Sequence, residues 1–162
     1  MSAEALASAL IDACRARGIT LVTAESCTGG LLAGAITAIP GASDVFERGF
    51  VTYSYASKTA LLGVAGDDLA RHGAVSEPVA RQMAAGALAA SGAGLAIAIT
   101  GVAGPGASEA KPEGLVWFGF ATAAGIWAER RDFGPLGRTL VRARSVETAL
   151  ARAPHALAGL LP

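Results

Sequence analysis

Lysine, cysteine and histidine are all scarce in this chain, and each shortage narrows the chemistry available. Lys58 and Lys111 are the only lysines among 13 Lys plus Arg. Guanidinium stays charged at any accessible pH, so these two positions alone offer an amine that can lose its proton. The two cysteines, Cys14 and Cys27, are too few to staple a small secreted domain. They form no CxxC pair, and with His72 and His155 they make no zinc-ligand spacing. Excess charge is missing too: 13 cations balance 13 anions, so the positive field of a nucleic-acid-coating protein is absent and no nucleic-acid partner is expected. Residues 82–108 lack charged side chains, but Gly86, Gly92, Gly94, Gly101, Gly104, Pro105 and Gly106 break the run, so no membrane span is expected. The N-terminus carries Glu4 and Asp12 in an Ala-rich stretch and has no basic n-region. The reading is a soluble cytoplasmic protein.

What remains is a chain of 162 residues, 52% hydrophobic, which suits one domain over 1–162 burying about 70% of its extended-chain surface. Apolar spacing predicts a helix over 3–17, stopped by Gly18. Ile19 to Ala24 reads as a strand, and Leu31 to Ile39 as a helix ended by Pro40. Phe50, Val51 and Tyr53 favour a second strand, and Ala56 to Leu62 a short helix ended by Gly63. Ser76 caps a helix running to about Ser91. Leu95 to Thr100 is a buried strand opening into a loop from Gly101 to Gly114. Leu115 to Thr122 and Ile126 to Phe133 form a hairpin. A last helix starts near Gly137 and Arg138, with Pro154 bending or ending it. Helices alternating with strands, plus one antiparallel pair, predict a three-layer α/β/α sandwich with a mixed β-sheet. Ligands then sit beyond the carboxyl ends of the strands, where the loops after Ala24, Tyr53 and Thr100 converge.

Four clusters on those loops can carry chemistry. Glu25, Ser26, Cys27, Thr28, Gly29 and Gly30 put hydroxyls, a thiol and free amides at a helix N-terminus, which attracts phosphate or an oxyanion. Equally, Ser26 or Thr28 there can simply cap the helix. Cys27 is a thiolate candidate by its position, with buried structural cysteine as the alternative. Ser43, Tyr53, Ser54 and Lys58 form the second cluster. A desolvated lysine can deprotonate a serine hydroxyl with no histidine present; a turn-capping serine and a solvated lysine are the alternative. The loop from Thr100 and Gly101 to Gly106 offers amides to an anion, with a tight surface turn as the alternative, and it is neither a P-loop nor a dinucleotide fingerprint. Arg138 and Arg142, one helical turn apart, can clamp a phosphate or merely face solvent.

Taken in order, Thr23-Ala-Glu-Ser-Cys-Thr-Gly-Gly30, Phe46-Glu-Arg-Gly-Phe-Val-Thr-Tyr-Ser54, Gly73-Ala-Val-Ser-Glu-Pro78, Thr100-Gly-Val-Ala-Gly-Pro105, Lys111-Pro-Glu-Gly114 and Val116-Trp-Phe118 resemble one family closely. It is the CinA C-terminal domain family, nicotinamide-nucleotide amidohydrolases of the PncC type. The resemblance implies hydrolysis of the carboxamide of nicotinamide mononucleotide to nicotinate mononucleotide and ammonia, in pyridine nucleotide salvage. It implies no metal or other cofactor, a small pyridine nucleotide as partner, a fold related to anticodon-binding domains, and homo-oligomers. By motif position, Ser43 corresponds to the nucleophile, Lys58 to the general base and Tyr53 to an assisting hydroxyl. Ser26, Thr100 and Arg138 correspond to further active-site positions, with Thr28, Gly29, Gly30, Gly101 and Arg142 as candidate substrate contacts beside them. Members often have a longer glycine-rich segment where Gly106, Ala107 and Ser108 stand here. Two other readings stay open: a nucleotide-binding accessory module without chemistry, and a thiol enzyme using Cys27.

Overall fold

The computed structural model describes residues 1–161. Helix α1 (Ala3–Arg17) starts where the Ser2 hydroxyl accepts from the Ala5 amide, and it ends at Gly18. There follow β1 (Leu21–Glu25), α2 (Leu31–Thr37), a 3-10 turn (Ala42–Asp44), β2 (Phe46–Val51), α3 (Tyr55–Leu62), α4 (Gly66–His72) and α5 (Glu77–Ser91). Then come β3 (Leu95–Gly101), β4 (Leu115–Thr122), β5 (Gly125–Asp132) and α6 (Arg138–Leu157). The strands form one sheet in the order β2-β1-β3-β4-β5. The first three are parallel, and the β4–β5 hairpin adds the antiparallel pairings. The mixed three-layer sandwich expected from the alternation of elements is therefore present.

Alternation along β3 shows how the layers divide. Leu95, Ile97 and Ile99, with Phe118 and Phe120 of β4, face a core of bulky side chains closed by α1, α2 and α6. Ala96 and Ala98, with Val22, Ala24 and Ala121, face the opposite core beneath α5. Small residues there let α5 approach closely: a Cβ at Gly119 would stand 2.1 Å from the Ala80 carbonyl oxygen. The same helix meets the end of α3, where a Cβ at Gly86 would lie 1.8 Å from the Leu62 oxygen. No helix among the described residues is long and apolar enough to cross a membrane.

Three elements depart from the sequence reading. Strand β2 begins at Phe46, four residues earlier than its β-branched and aromatic end suggests, because Glu47, Arg48 and Gly49 lie exposed on an edge strand that needs no apolar alternation. Helix α4 was not anticipated; it buries only Leu69, so it carries no periodic signal, although Asp67 and Asp68 at its start and Arg71 and His72 at its end suit the helix dipole. Helix α6 runs past Pro154 to Leu157. What positions the site is the register, in which Glu25 lies beside both Val51 and Ile99, so the carboxyl ends of β1, β2 and β3 stand level.

Candidate active site

Ser26 follows the last residue of β1, where its amide donates to the Ile99 oxygen at 2.9 Å. Across the sheet, the Thr52 amide donates to the Glu25 oxygen at 2.9 Å. The turn after Ser26 is held from two sides. The buried Glu25 carboxylate accepts from the Leu32 amide at 2.8 Å and the Ala33 amide at 3.1 Å, capping α2. From α6, Arg142 donates to the carbonyls of Cys27 and Thr28, both at 3.1 Å.

Helix α3 brings Lys58. It starts at Ser54 with a capping box in which the Ser54 and Ser57 side chains exchange hydrogen bonds with each other's backbone amides. Its first full turn points Lys58 inward, and the side chain is completely buried. The amine donates to Ser26 Oγ at 2.9 Å and to the Thr52 oxygen at 2.6 Å. Desolvation draws the Lys58 pKa down to about 8, against the opposing pull of the Glu109 charge. A serine hydroxyl beside an amine that is readily neutral is the arrangement nucleophilic acyl transfer requires.

Both groups open into a cleft of about 380 Å³. Thr100 and Gly101 line its depth, and the Thr100 hydroxyl donates to the Ala74 oxygen at 2.9 Å. At the rim, Arg138 donates to Tyr53 Oη at 2.7 Å and to the Gly104 oxygen at 2.9 Å, joining two walls. Tyr55 and Glu109 also line the cleft; the Tyr55 hydroxyl donates to the Glu109 carboxylate, which accepts as well from the Ala74 amide at 2.9 Å and the Val75 amide at 3.0 Å. Burial acts to raise the Glu109 pKa, but those hydrogen bonds outweigh it and hold the carboxyl below its usual range. Lys111, the second lysine, donates to the carbonyls of His72 and Val75 at 2.5 Å each and braces the loop.

Ser43 is elsewhere. It sits in the 3-10 turn and lines a separate hollow with Thr37, Ile39 and Phe46. That turn precedes β2 while Lys58 lies beyond it, and a six-residue strand at about 3.3 Å per residue spans roughly 20 Å. The expected pairing of Ser43 with Lys58 is thus not formed, and Ser26 occupies the place beside the amine. Tyr53 lines the cleft, but its hydroxyl engages Arg138.

Thr28, Gly29, Gly30 and Arg142 are placed to hold the turn. The Gly29 amide donates to the Ser26 oxygen and the Leu31 amide to the Thr28 oxygen, so with Glu25 in place the first amides of α2 are already engaged. Burial pushes the Cys27 thiol up to about 12, outweighing its favourable position before α2, which favours the buried structural cysteine over the thiolate. The sequence reading placed Glu25 in its first cluster without giving it a role, and it missed Glu109. A carboxylate ending a fully buried strand was the available signal for Glu25, whereas nothing local marks Glu109.

The sequence profile of the CinA C-terminal domain matches residues 3–157. The chain belongs to the CinA C-terminal domain family. Among its relatives, the Escherichia coli K12 protein named nicotinamide-nucleotide amidohydrolase PncC is 54% identical over 86% of this chain and 85% of its own. A putative competence-damage inducible protein of Symbiobacterium thermophilum is 50% identical over 90% of this chain but only 36% of its own, so the CinA domain also occurs within longer proteins. Crystal structures agree in fold. The competence/damage inducible protein CihA from Agrobacterium tumefaciens superposes with a TM-score of 0.90 at 45% identity, covering 98% of this chain and 94% of that one. The Klebsiella pneumoniae competence damage-inducible protein A gives 0.94 at 38% identity, covering 98% of each.

Proposed function

We propose that this CinA-family chain hydrolyses the carboxamide of nicotinamide mononucleotide to nicotinate mononucleotide and ammonia. The likeness to the Escherichia coli amidohydrolase supports the substrate, and the hydrogen bond between Lys58 Nζ and Ser26 Oγ carries the chemistry. Neutral Lys58 takes the hydroxyl proton as Ser26 Oγ bonds to the carboxamide carbon. The tetrahedral oxyanion needs donors, and the amide of Cys27, directly after the nucleophile and on the cleft, is our assignment for one of them. The carbon–nitrogen bond then breaks, and the Lys58 ammonium returns its proton to the departing nitrogen, releasing ammonia. Water attacks the acyl ester and gives one proton to Lys58, leaving the carboxylic acid, which loses its remaining proton to solvent as the carboxylate product. Ser26 Oγ recovers its hydrogen from Lys58. Arg138, at the mouth, anchors the nucleotide phosphate.

Ammonia release from nicotinamide mononucleotide tests this reading. Ser26→Ala and Lys58→Ala are each expected to lose about 10³-fold or more in kcat while remaining folded, and Ser43→Ala to keep near-parental turnover. Full activity in Ser26→Ala would sink the mechanism. Binding of the nucleotide without any ammonia from the parent protein would sink the enzyme reading.

A further inference from the structure

We infer that Glu113 is a positioning residue that sets Arg138 for the anionic end of the substrate, an inference resting on Arg138 as the phosphate anchor. Glu113 stands at the end of the loop between β3 and β4, half-buried and outside the cleft lining. Its carboxylate ties together two segments: Oε2 accepts from the Gly106 amide and Oε1 from the Gly137 amide, both at 2.8 Å. Gly137 caps α6 without a side chain of its own and immediately precedes Arg138. Gly106 lies two residues after Gly104, whose oxygen accepts from Arg138 at 2.9 Å. The cleft wall rests directly on the carboxylate, since a Cβ at Gly104 would come within 2.5 Å of Glu113 Cδ.

These contacts close a circuit that runs from Glu113 to the glycine wall, across Arg138, and back through Gly137. A carboxylate accepting from two amides makes charge-assisted bonds, and its negative charge also suits the start of a long helix. The brace matters because Gly104 and Gly106 give the wall little stiffness of its own. A guanidinium on a flexible stem binds an anion best when its orientation is set beforehand. Glu113 therefore acts through Arg138 and the wall, with no contact to substrate.

The test compares Glu113→Ala, Glu113→Gln, Arg138→Met and the double variant Glu113→Ala/Arg138→Met, using nicotinamide mononucleotide and its nucleoside, nicotinamide riboside. Glu113→Ala is expected to raise KM for the nucleotide about tenfold with kcat within about twofold, and to leave KM for the riboside unchanged. Glu113→Gln, which keeps one carbonyl acceptor, falls between and decides the matter if the alanine variant does not fold. In the double variant, KM rises no further than in Arg138→Met alone. Calorimetric titration with nicotinate mononucleotide gives the same comparison without turnover. An unchanged nucleotide KM in Glu113→Ala, an equal rise for both substrates, or additive effects in the double variant would overturn the inference. If Arg138→Met raises the nucleotide KM and Glu113→Ala does not, the inference alone falls. If Arg138→Met changes nothing, the phosphate reading falls and takes the inference with it.

Discussion

Among the described residues, buried Lys58 has no acidic partner within hydrogen-bonding reach, and its two bonds go to a hydroxyl and a carbonyl. Such an amine is more easily neutral than a solvated one, and two consequences follow. Activity through neutral Lys58 should rise with pH, with kcat/KM climbing about tenfold per unit below the pKa of about 8 and levelling above it. A flat profile between pH 6 and 8 would assign the base elsewhere. The second consequence concerns stability. The unfolded chain holds this proton up to about 10.5 while the native state releases it at about 8, so stability rises with pH across that window and the penalty is fully present below it. Lys58→Met should therefore be more stable than the parent at pH 7, by on the order of 1–3 kcal/mol in urea unfolding, even as activity vanishes. The gain should shrink as pH passes from about 8 to about 10.5. A gain that stays constant with pH would show that packing, not the charge, is responsible.

Helix α6 contacts the site at two levels, one turn apart. Arg138 reaches the rim through Tyr53 and Gly104, while Arg142 reaches the carbonyls of Cys27 and Thr28 in the turn that carries Ser26. Identical side chains on one helix face thus do different work because different backbone lies opposite each. Arg142→Met should lower kcat by about tenfold to a hundredfold with KM within about threefold, since the turn carrying Ser26 loses a double anchor while the substrate pocket keeps its lining. Steady-state kinetics separate the cases, because a pure rise in KM would instead make Arg142 a substrate contact. Glu25 complements this clamp from the other side by occupying the first amides of α2. In the proposed mechanism the oxyanion therefore takes its donors from the turn before the helix, which is why the Cys27 amide is assigned there.

The sandwich is asymmetric across its sheet, with bulky side chains on the α1, α2 and α6 face and small ones under α5. Neighbours on β3 expose the difference. Ile97→Ala should cost about 2–5 kcal/mol by leaving a cavity, and Ala98→Leu about 1–3 kcal/mol by forcing α5 off the sheet. Denaturant unfolding measures both, and a neutral Ala98→Leu would mean that the α5 face has room to spare. Periodicity and punctuation in the chain were enough for most of the architecture: Gly18, Gly63 and Gly92 end helices, and the apolar runs at Leu21 and Leu95 are central strands because only buried strands are apolar on both faces. The same reading shows Lys58 and the Ser26 turn to be chemically capable, since scarcity and residue type are local properties. Which serine meets the lysine is not local. Ser43 is nearer in sequence, yet β2 carries the chain away from it to the far end of the sheet, while parallel pairing of β1 with β2 sets Ser26 level with Thr52 and the start of α3. Proximity along a chain is undone by an intervening strand, and only the pairing of strands distant in sequence restores it.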